Sequence, residues 1–262
     1  MLASAAMADS LASARLVALV RAGPYRLALP AEAVREVVRA GDGESLLRAL
    51  GEPETVAGEW AVALQAKSLR RFRVDAVEGV RPRGDSPSLN LPAGVGVDVP
   101  ELFRGAFQMD GALALELRPE ALDDLPPRAM GSPPALHGTS EPAPRALLFT
   151  AAGRSIGFAL PQVLSVVARP AVCPVPRAGL GVRGVVEHGQ TLYPVLDLGA
   201  RHFGRPSPGE LGVLVDQDGR ALLVLADAIL GVRQGFRAVD GDEPGWLQGE
   251  RGERALFPLL EG

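Results

Sequence analysis

A glycine-rich stretch is the first part of the sequence whose spacing could bind a ligand. Residues 179–184 read GLGVRG, which fits the pattern G-x-G-x-x-G of loops that bind dinucleotide phosphates. Such a loop needs a strand before its first glycine and a helix after its last, because the helix N-terminus faces the phosphates. Here CPVPRA precedes the stretch and the β-rich VVEHGQTLYPVLDL follows it. The sequence therefore predicts a sharp turn before a buried strand and no bound cofactor.

The side chains that could act as nucleophiles, bases or metal ligands are scattered. Cys173, the single cysteine, has no adjacent base, so an apolar core or turn position is favoured over a nucleophile. His137, His188 and His202 lack the spacing of metal ligands. Because the chain also lacks the serine-hydrolase, zinc-protease and Walker motifs, we expect no enzymatic activity and no metal site.

Three aspartates are predicted to have structural roles, and one histidine has two possible roles. Asp197 lies where a strand pattern gives way to a short helix pattern, which favours a helix N-cap over an acid catalyst. Asp75 and Asp227 recur at matching places in the two halves of the chain, which favours a turn hydrogen bond in each. His188 lies in a predicted hairpin turn, where it is either a solvated turn residue or a contact for a partner.

Composition limits the class of protein. The 262 residues are 47% hydrophobic and 22% charged, which is typical of folded globular proteins, and carry a formal net charge of −4. This charge argues against a dedicated nucleic-acid-binding protein, which needs a basic face. The N-terminus lacks the basic segment of a signal peptide, and no apolar run reaches the ~20 residues of a membrane span. We therefore expect a cytoplasmic protein without direct membrane insertion.

A weak internal repeat divides the chain into two halves. The first half opens RLVALVRAGPYRLALP and the second opens RALLFTAAGRSIGFALP, while RFRVDAVEGV later matches LLVLADAILGV. The second half carries about 22 extra residues within 170–193, at a place where the first half has only a short segment before ESLLRALGEP. The predicted organisation is one domain at 13–128, a linker rich in Pro, Gly and Ser at 129–144, and a second domain at 145–262.

Most of the local patterns predict β-structure. Hairpin signals occur at RAGPY, AAGRS, EHGQ, DQDGR and QMDGA, each between two apolar runs. Short helical signals occur at 31–38, 44–50, 119–125 and 198–204. Many short strands with closely spaced turns predict a mainly β protein of small barrels or sandwiches, and disfavour a doubly wound parallel sheet.

Four strings of the second half resemble, in order, the blocks of a CheW-like domain: RALLFTAAGRSIGFAL, VLSVVARPAVCPVP, VRGVVEHGQTLYPVLDLGARHFGRP and LVLADAILGV. The resemblance covers 145–262 well and 13–128 more weakly, so the chain resembles a tandem CheW-like protein. It implies two small five-stranded, SH3-like β-barrels per domain with an apolar groove between them. Because the first half lacks most of the third block, the resemblance implies that its second barrel is incomplete.

The resemblance also implies a set of residues that contact a partner. Arg183 and Gly184 match the family's first Arg-Gly, and Val163 and Val166 match an apolar pair near the receptor-binding groove. The full predicted set is Val163, Ser165, Val166, Arg183, Gly184, Val185, Glu187 and His188.

Three of these positions depart from the family pattern. Ser165 stands where the family often has Glu, whereas the first half keeps Glu36. Glu187 and His188 replace the family's Asn and second Arg, and that Arg is associated with receptor binding.

Members of this family are non-catalytic adaptors of bacterial chemotaxis. The resemblance therefore implies a scaffold that binds the CheW-like regulatory domain of a histidine kinase and, as a further partner, the cytoplasmic tip of a receptor. An alternative is a divergent structural or decoy module that dimerises or binds the kinase without receptor coupling. A third hypothesis, an enzyme with a cofactor at GLGVRG, is disfavoured by the patterns around that stretch.

Overall fold

The computed structural model describes residues 15–54, 58–96, 98–126, 128, 137–238 and 245–260. The chain divides into two compact units. Unit 1 comprises Met1–Ala129, Cys173–Ala178 and Gln190–Leu192, and unit 2 comprises Met130–Val172, Gly179–Gly189 and Tyr193–Gly262. The first half of the predicted linker at 129–144 lies outside the described residues, and its last two residues already belong to a strand. The exact domain bounds at 13–128 and 145–262 stay predictions.

Two sheets form unit 1. Its described strands are β1 (Leu16–Ala22), β2 (Tyr25–Pro30), β3 (Val34–Arg39), β4 (Glu44–Ser45), β5 (Trp60–Gln65), β6 (Leu69–Val74), β7 (Ala76–Pro82), β8 (Phe103–Met109) and β9 (Ala112–Leu117). The described helices of unit 1 are α1 (Leu46–Ala49) and α2 (Val99–Leu102), with 3-10 turns at Ala31–Ala33, Ala93–Val95 and Pro119–Asp123. The strand order is β7-β1-β2-β9-β8 in one sheet and β3-β5-β6-β4 in the other.

The remaining strands repeat this arrangement. They are β10 (Ala143–Ala151), β11 (Arg154–Ala159), β12 (Val163–Ala168), β13 (Val182–His188), β14 (Thr191–Leu196), β15 (Leu211–Gln217), β16 (Arg220–Ala226), β17 (Ala228–Ala238), β18 (Trp246–Gln248) and β19 (Arg254–Leu256). A 3-10 turn lies at Leu160–Gln162, and the helix α3 is Leu198–His202. Strands β10-β11-β19-β18-β17 close into a barrel, and the second sheet has the order β12-β15-β16-β14-β13.

This architecture confirms the predicted mainly β fold and the internal repeat. In each unit the first hairpin pairs in parallel with the last strand of the unit, β2 with β9 and β11 with β19. The hairpins predicted at RAGPY, AAGRS, EHGQ, DQDGR and QMDGA are all present as turns between consecutive strands. The matched glycines Gly79 and Gly231 have φ of +116° and +92° and lie beside a register shift against β1 and β10, respectively. Glycine adopts this φ without strain, so the recurring pair marks a bulge in each unit.

One predicted helix is wrong. The spacing of apolar residues in 31–38 suggested a helix, but only Ala31–Ala33 forms a 3-10 turn and the rest is strand β3. Strand β3 pairs with β5 from Val34 to Arg39, and its β-branched valines suit a strand that has a partner. The other three helical signals correspond to α1, α3 and the turn Pro119–Asp123, each only one or two turns long.

Among the residues that the structure describes, the second sheet of unit 1 has four strands where that of unit 2 has five, as expected for an incomplete second barrel. The missing strand is the counterpart of β13. In unit 2, Val186 of β13 packs in one buried cluster with Leu223 and Leu225 of β16. The strand registers place Arg71 and Arg73 of β6 at the positions of these leucines. Because arginines replace the apolar surface that β13 covers, a fifth strand would have no core to bury against them.

A segment from the second half of the sequence belongs to unit 1. Arg177, within Cys173–Ala178, is buried, and its guanidinium lies 2.6 Å from Asp98 Oδ2. Its backbone N–H donates to Glu52 Oε1 at 2.7 Å. The sequence predicts these residues as an insertion in the second domain, whereas the structure places them in unit 1.

Candidate partner-binding site

Strand β12 presents an apolar row to solvent. It is an edge strand of its sheet, and its residues alternate between partly buried and exposed along Val163–Ala168. Leu164 and Val166 are 52% and 45% exposed, and Ala168 is exposed beside them. Valine and leucine side chains in such a row gain free energy when a partner covers them.

The exposed residues of β12 differ from those predicted from the sequence. Val163 is partly buried and packs against the buried core of unit 2, whereas Val166 is 45% exposed. Leu164, which was not among the predicted residues, is exposed in this row. A register shift between Val163 and Ser165 leaves Leu164 outside the regular pairing with β15, so the exposure of each residue could not be predicted from alternation along the sequence. Ser165 is partly buried in the same strand.

The glycine-rich stretch is a turn that leads into a strand, as predicted. The N–H of Val182 donates to the carbonyl of Gly179 at 2.9 Å, and β13 begins at Val182. Gly181 has φ +77°, and a Cβ at this position would collide with the side chain of Arg201. Since a strand follows where a phosphate-binding loop requires a helix N-terminus, the stretch does not form a dinucleotide loop.

Arg183 and Asp197 form the polar part of the site. Arg183 Nη1 lies 3.3 Å from Asp197 Oδ2, and the aspartate is fully buried while the arginine side chain is 48% exposed. Asp197 accepts from the N–H of Ala200 at 2.9 Å and caps α3, which confirms the predicted N-cap. It also accepts from the N–H of Ser207 at 3.1 Å. A buried acid therefore orients one edge of Arg183, and the exposed part of the guanidinium faces solvent.

The other residues predicted on β13 divide between core and surface. Gly184 and Val185 are buried, and Val185 has no exposed area, so its side chain serves the core of unit 2 and does not reach a partner. Glu187 is partly buried, and His188 is exposed at the end of β13 beside the hairpin turn.

The predicted residues lie at the two ends of one sheet. Strands β12 and β13 are the first and last strands of the order β12-β15-β16-β14-β13. They nevertheless share a core, since Val167 of β12 packs against the cluster that contains Val186 of β13. The sheet thus curls around one interior, and it offers an apolar row on β12 and a polar group on β13.

A second exposed apolar pair lies on β17. Leu230 and Val232 are 39% and 41% exposed, on a strand whose residues alternate in exposure. They were not predicted from the sequence, because the consecutive apolar residues of AILGV do not show which of them is exposed.

A family model matches part of the sequence. The family model described as "CheW-like domain" matches residues 145–239. This segment is a CheW-like domain. The match contains β12, β13 and the exposed part of β17, so the CheW-like domain carries the exposed residues described above. The family match does not extend to the first half of the chain, whose similarity to the second half rests on the strand order of unit 1.

One solved structure similar to the chain is that of the scaffolding protein TtCheW from Thermoanaerobacter tengcongensis. It is 16% identical in sequence with a TM-score of 0.39, and the match covers 45% of this chain and 90% of that chain. No curated protein matches the chain.

The described residues offer little for covalent or metal chemistry near the CheW-like domain. Among them, no group of three or more His, Cys, Asp and Glu side chains could hold a metal ion. Burial raises the pKa of Cys173 to about 11, with a smaller opposing effect from Arg26, so its thiol stays protonated at neutral pH. Burial, followed by the charge of Arg201, lowers the pKa of His202. In the described part of the chain, no helix has the length and apolar character required to cross a membrane.

Proposed function

We propose that this protein is a non-catalytic adaptor of a bacterial chemosensory system and that unit 2 binds the regulatory domain of a histidine kinase. The observation that carries the proposal is the match of a CheW-like domain to 145–239. The exposed row on β12 supports it, because a surface of this kind binds another protein without any reactive group. We expect the protein to work in the cytoplasm, where the kinase regulatory domain would be found.

In this proposal the contact surface consists of side chains that are exposed or partly exposed. Leu164 and Val166 supply apolar area, and Arg183 offers the exposed edge of its guanidinium to a carboxylate of the partner. Ser165, Glu187 and His188 stay in the proposed surface at its margins. Gly184 and Val185 are omitted because they are buried, and Val163 is omitted because it packs inward.

A second candidate function follows from the end of β13. Glu187 and His188 stand where the resemblance expects an Asn and a receptor-binding Arg. Without that Arg, the protein would bind the kinase but not the receptor, or would form a homodimer, and would act as a structural or competitive module. Binding of a receptor tip to the wild-type protein would exclude this candidate.

The test is calorimetric titration of the full chain with purified kinase regulatory domains from the same genome. We expect wild-type binding and at least a tenfold loss of affinity for Val166→Glu, because a carboxylate would be desolvated against an apolar surface. Val37→Glu is the matched control, since Val37 holds the same place on β3 of unit 1 and is also exposed. If none of the regulatory domains binds the wild-type chain, the proposal is wrong.

A further inference from the structure

The two units present different surfaces on matching strands. Strands β3 and β12 have the same register shift against their neighbours, so their residues can be paired by position. The exposed positions of β12 and their counterparts on β3 are Leu164 and Arg35, Val166 and Val37, and Ala168 and Arg39. Two of the three apolar side chains of unit 2 are thus arginines in unit 1.

On the second pair of strands a charged residue replaces one of the two exposed apolar residues, whereas Val80, which is 56% exposed, keeps an apolar side chain at the position of Val232. Strand β7 matches β17 through the shared aspartate and bulge glycine, which places Glu78 at the position of Leu230. Glu78 accepts hydrogen bonds from Arg21 at 2.7 Å and Arg26 at 2.9 Å. Burial raises the pKa of Glu78, but the hydrogen bonds and positive charges of Arg21 and Arg26 together outweigh burial and lower the pKa, so the carboxylate is charged at neutral pH.

The charges of unit 1 are incompatible with an apolar partner. A partner that covered β3 would have to remove Arg35 and Arg39 from water, and the ion pair between Arg39 and Glu59 is an exposed one at 3.5 Å. The neighbouring Glu36 on this strand is paired with Arg71 at 2.8 Å. Removing such groups from water without new partners costs more than the remaining apolar contact of Val37 returns.

We infer that the chain binds one kinase regulatory domain, at unit 2, and that unit 1 has no second site for the same partner. This inference rests on the proposed function and sets the number of partners that the protein binds. The chain has two units of similar fold but one docking surface. A chain with one surface occupies a partner without cross-linking two of them, unlike a scaffold with two equivalent domains.

The experiment measures stoichiometry and maps the site with matched variants. Calorimetric titration and light scattering of the complex are expected to give one regulatory domain per chain. The double variant Leu164→Arg with Ala168→Arg places the charges of unit 1 on β12, and we expect at least a tenfold loss of affinity. Val37→Glu is expected to leave affinity within about twofold of wild type.

The outcomes separate the inference from the proposed function. Two regulatory domains per chain, or equal losses of affinity for Val37→Glu and Val166→Glu, would overturn the single-site inference and leave the adaptor function intact. Failure of the wild-type chain to bind any regulatory domain would overturn both. The substituted residues are exposed, and thermal melting of each variant within a few degrees of wild type confirms that the fold is retained.

Discussion

Asp75 and Asp227 make the same hydrogen bond in the two units. Asp75 Oδ2 accepts from the N–H of Gly23 at 2.6 Å, and Asp227 Oδ2 accepts from the N–H of Gly153 at 3.3 Å. Each glycine lies in the turn of the first hairpin of its unit, and each aspartate lies between two later strands. The side chain thus joins two parts of the unit that are distant in sequence. Its recurrence confirms the turn role predicted for both residues.

The difference in geometry predicts a difference in stability. Asp75→Ala removes a short, partly buried bond and is expected to lower the free energy of unfolding of unit 1 by about 1–3 kcal/mol. Asp227→Ala removes a longer, exposed bond and is expected to cost unit 2 below about 1 kcal/mol. Urea titration followed by tryptophan fluorescence separates the units, because Trp60 and Trp246 are the two tryptophans of the chain and lie in different units. The opposite ranking of the two variants would contradict this account.

Local signals predicted the turns, and the tertiary contacts explain the failures. The hairpins were predictable because a turn depends on a few adjacent residues such as those around Gly23 and Gly153. The apolar spacing of strand β3 fits a helix as well as a strand, and only its pairing with β5 decides between the two. The burial of Arg177 in unit 1 depends on Glu52 and Asp98, which no local pattern connects with it.

The candidate site was predictable to the level of the strand. The repeat and the family resemblance pointed to strands β12 and β13. Which face of the sheet each side chain occupies depends on the bulge near Ser165 and on the packing of the core. That is why Val163 and Val185 were selected although they face inward, and Leu164 was not selected although it is exposed.

Asp197 is predicted to stabilise unit 2 more than an ordinary helix cap does. Asp197→Ala leaves the N–H groups of Ala200 and Ser207 without their acceptor and removes the partner of Arg183. We expect the free energy of unfolding to fall by about 2–4 kcal/mol, since a cap and further hydrogen bonds are lost together. Denaturant titration of a Trp60→Phe background reports this loss through Trp246.

The matched control for Asp197 is Ser45 at the N-cap of α1 in unit 1. Its side chain makes no capping hydrogen bond, so Ser45→Ala is expected to cost below about 1 kcal/mol. Equal losses for the two variants would show that the hydrogen bonds of Asp197 do not account for its effect.

Glu116 is the centre of a buried charge cluster in unit 1. Its carboxylate is 2% exposed and lies 3.0 Å from Arg15, 3.7 Å from Arg83 and 3.7 Å from Arg104. Glu116→Ala leaves three guanidinium groups close together without their shared counter-charge, and we expect a loss of about 3 kcal/mol in unit 1. The solvent exposure of Arg15 and Arg104 keeps the loss at the lower end of what broken buried pairs cost.

Glu120 provides the comparison for this cluster. It is 52% exposed and pairs with Arg104 at 3.6 Å, so Glu120→Ala is expected to cost below about 1 kcal/mol, and less at high salt. Denaturant titration of a Trp246→Phe background measures both variants, and a cost for Glu116→Ala as small as that for Glu120→Ala would refute the role of the cluster.

Cys173 is predicted to react slowly in the folded protein and to make stability depend on alkaline pH. Burial raises its pKa from 9.0 to about 11, so the folded state retains the thiol proton over a range in which the unfolded state has lost it. The free energy of unfolding should therefore fall as pH rises from about 9 towards 11. Below pH 9 the thiol is protonated in both states, and the contribution is fully present.

Two measurements check this prediction with Cys173→Ser as the control. Alkylation of native protein at pH 8 should be at least about a hundredfold slower than in urea, because both the thiolate fraction and the access are reduced. Tyr25, whose pKa is raised to about 12 by burial and then by Glu52, gives a fall of the same sign above pH 10. Cys173→Ser should therefore lose the fall between pH 9 and 10 and keep only the part above pH 10 that comes from Tyr25. An unchanged pH profile in Cys173→Ser, or equal alkylation rates in native and urea-treated protein, would show that the thiol is neither buried nor perturbed.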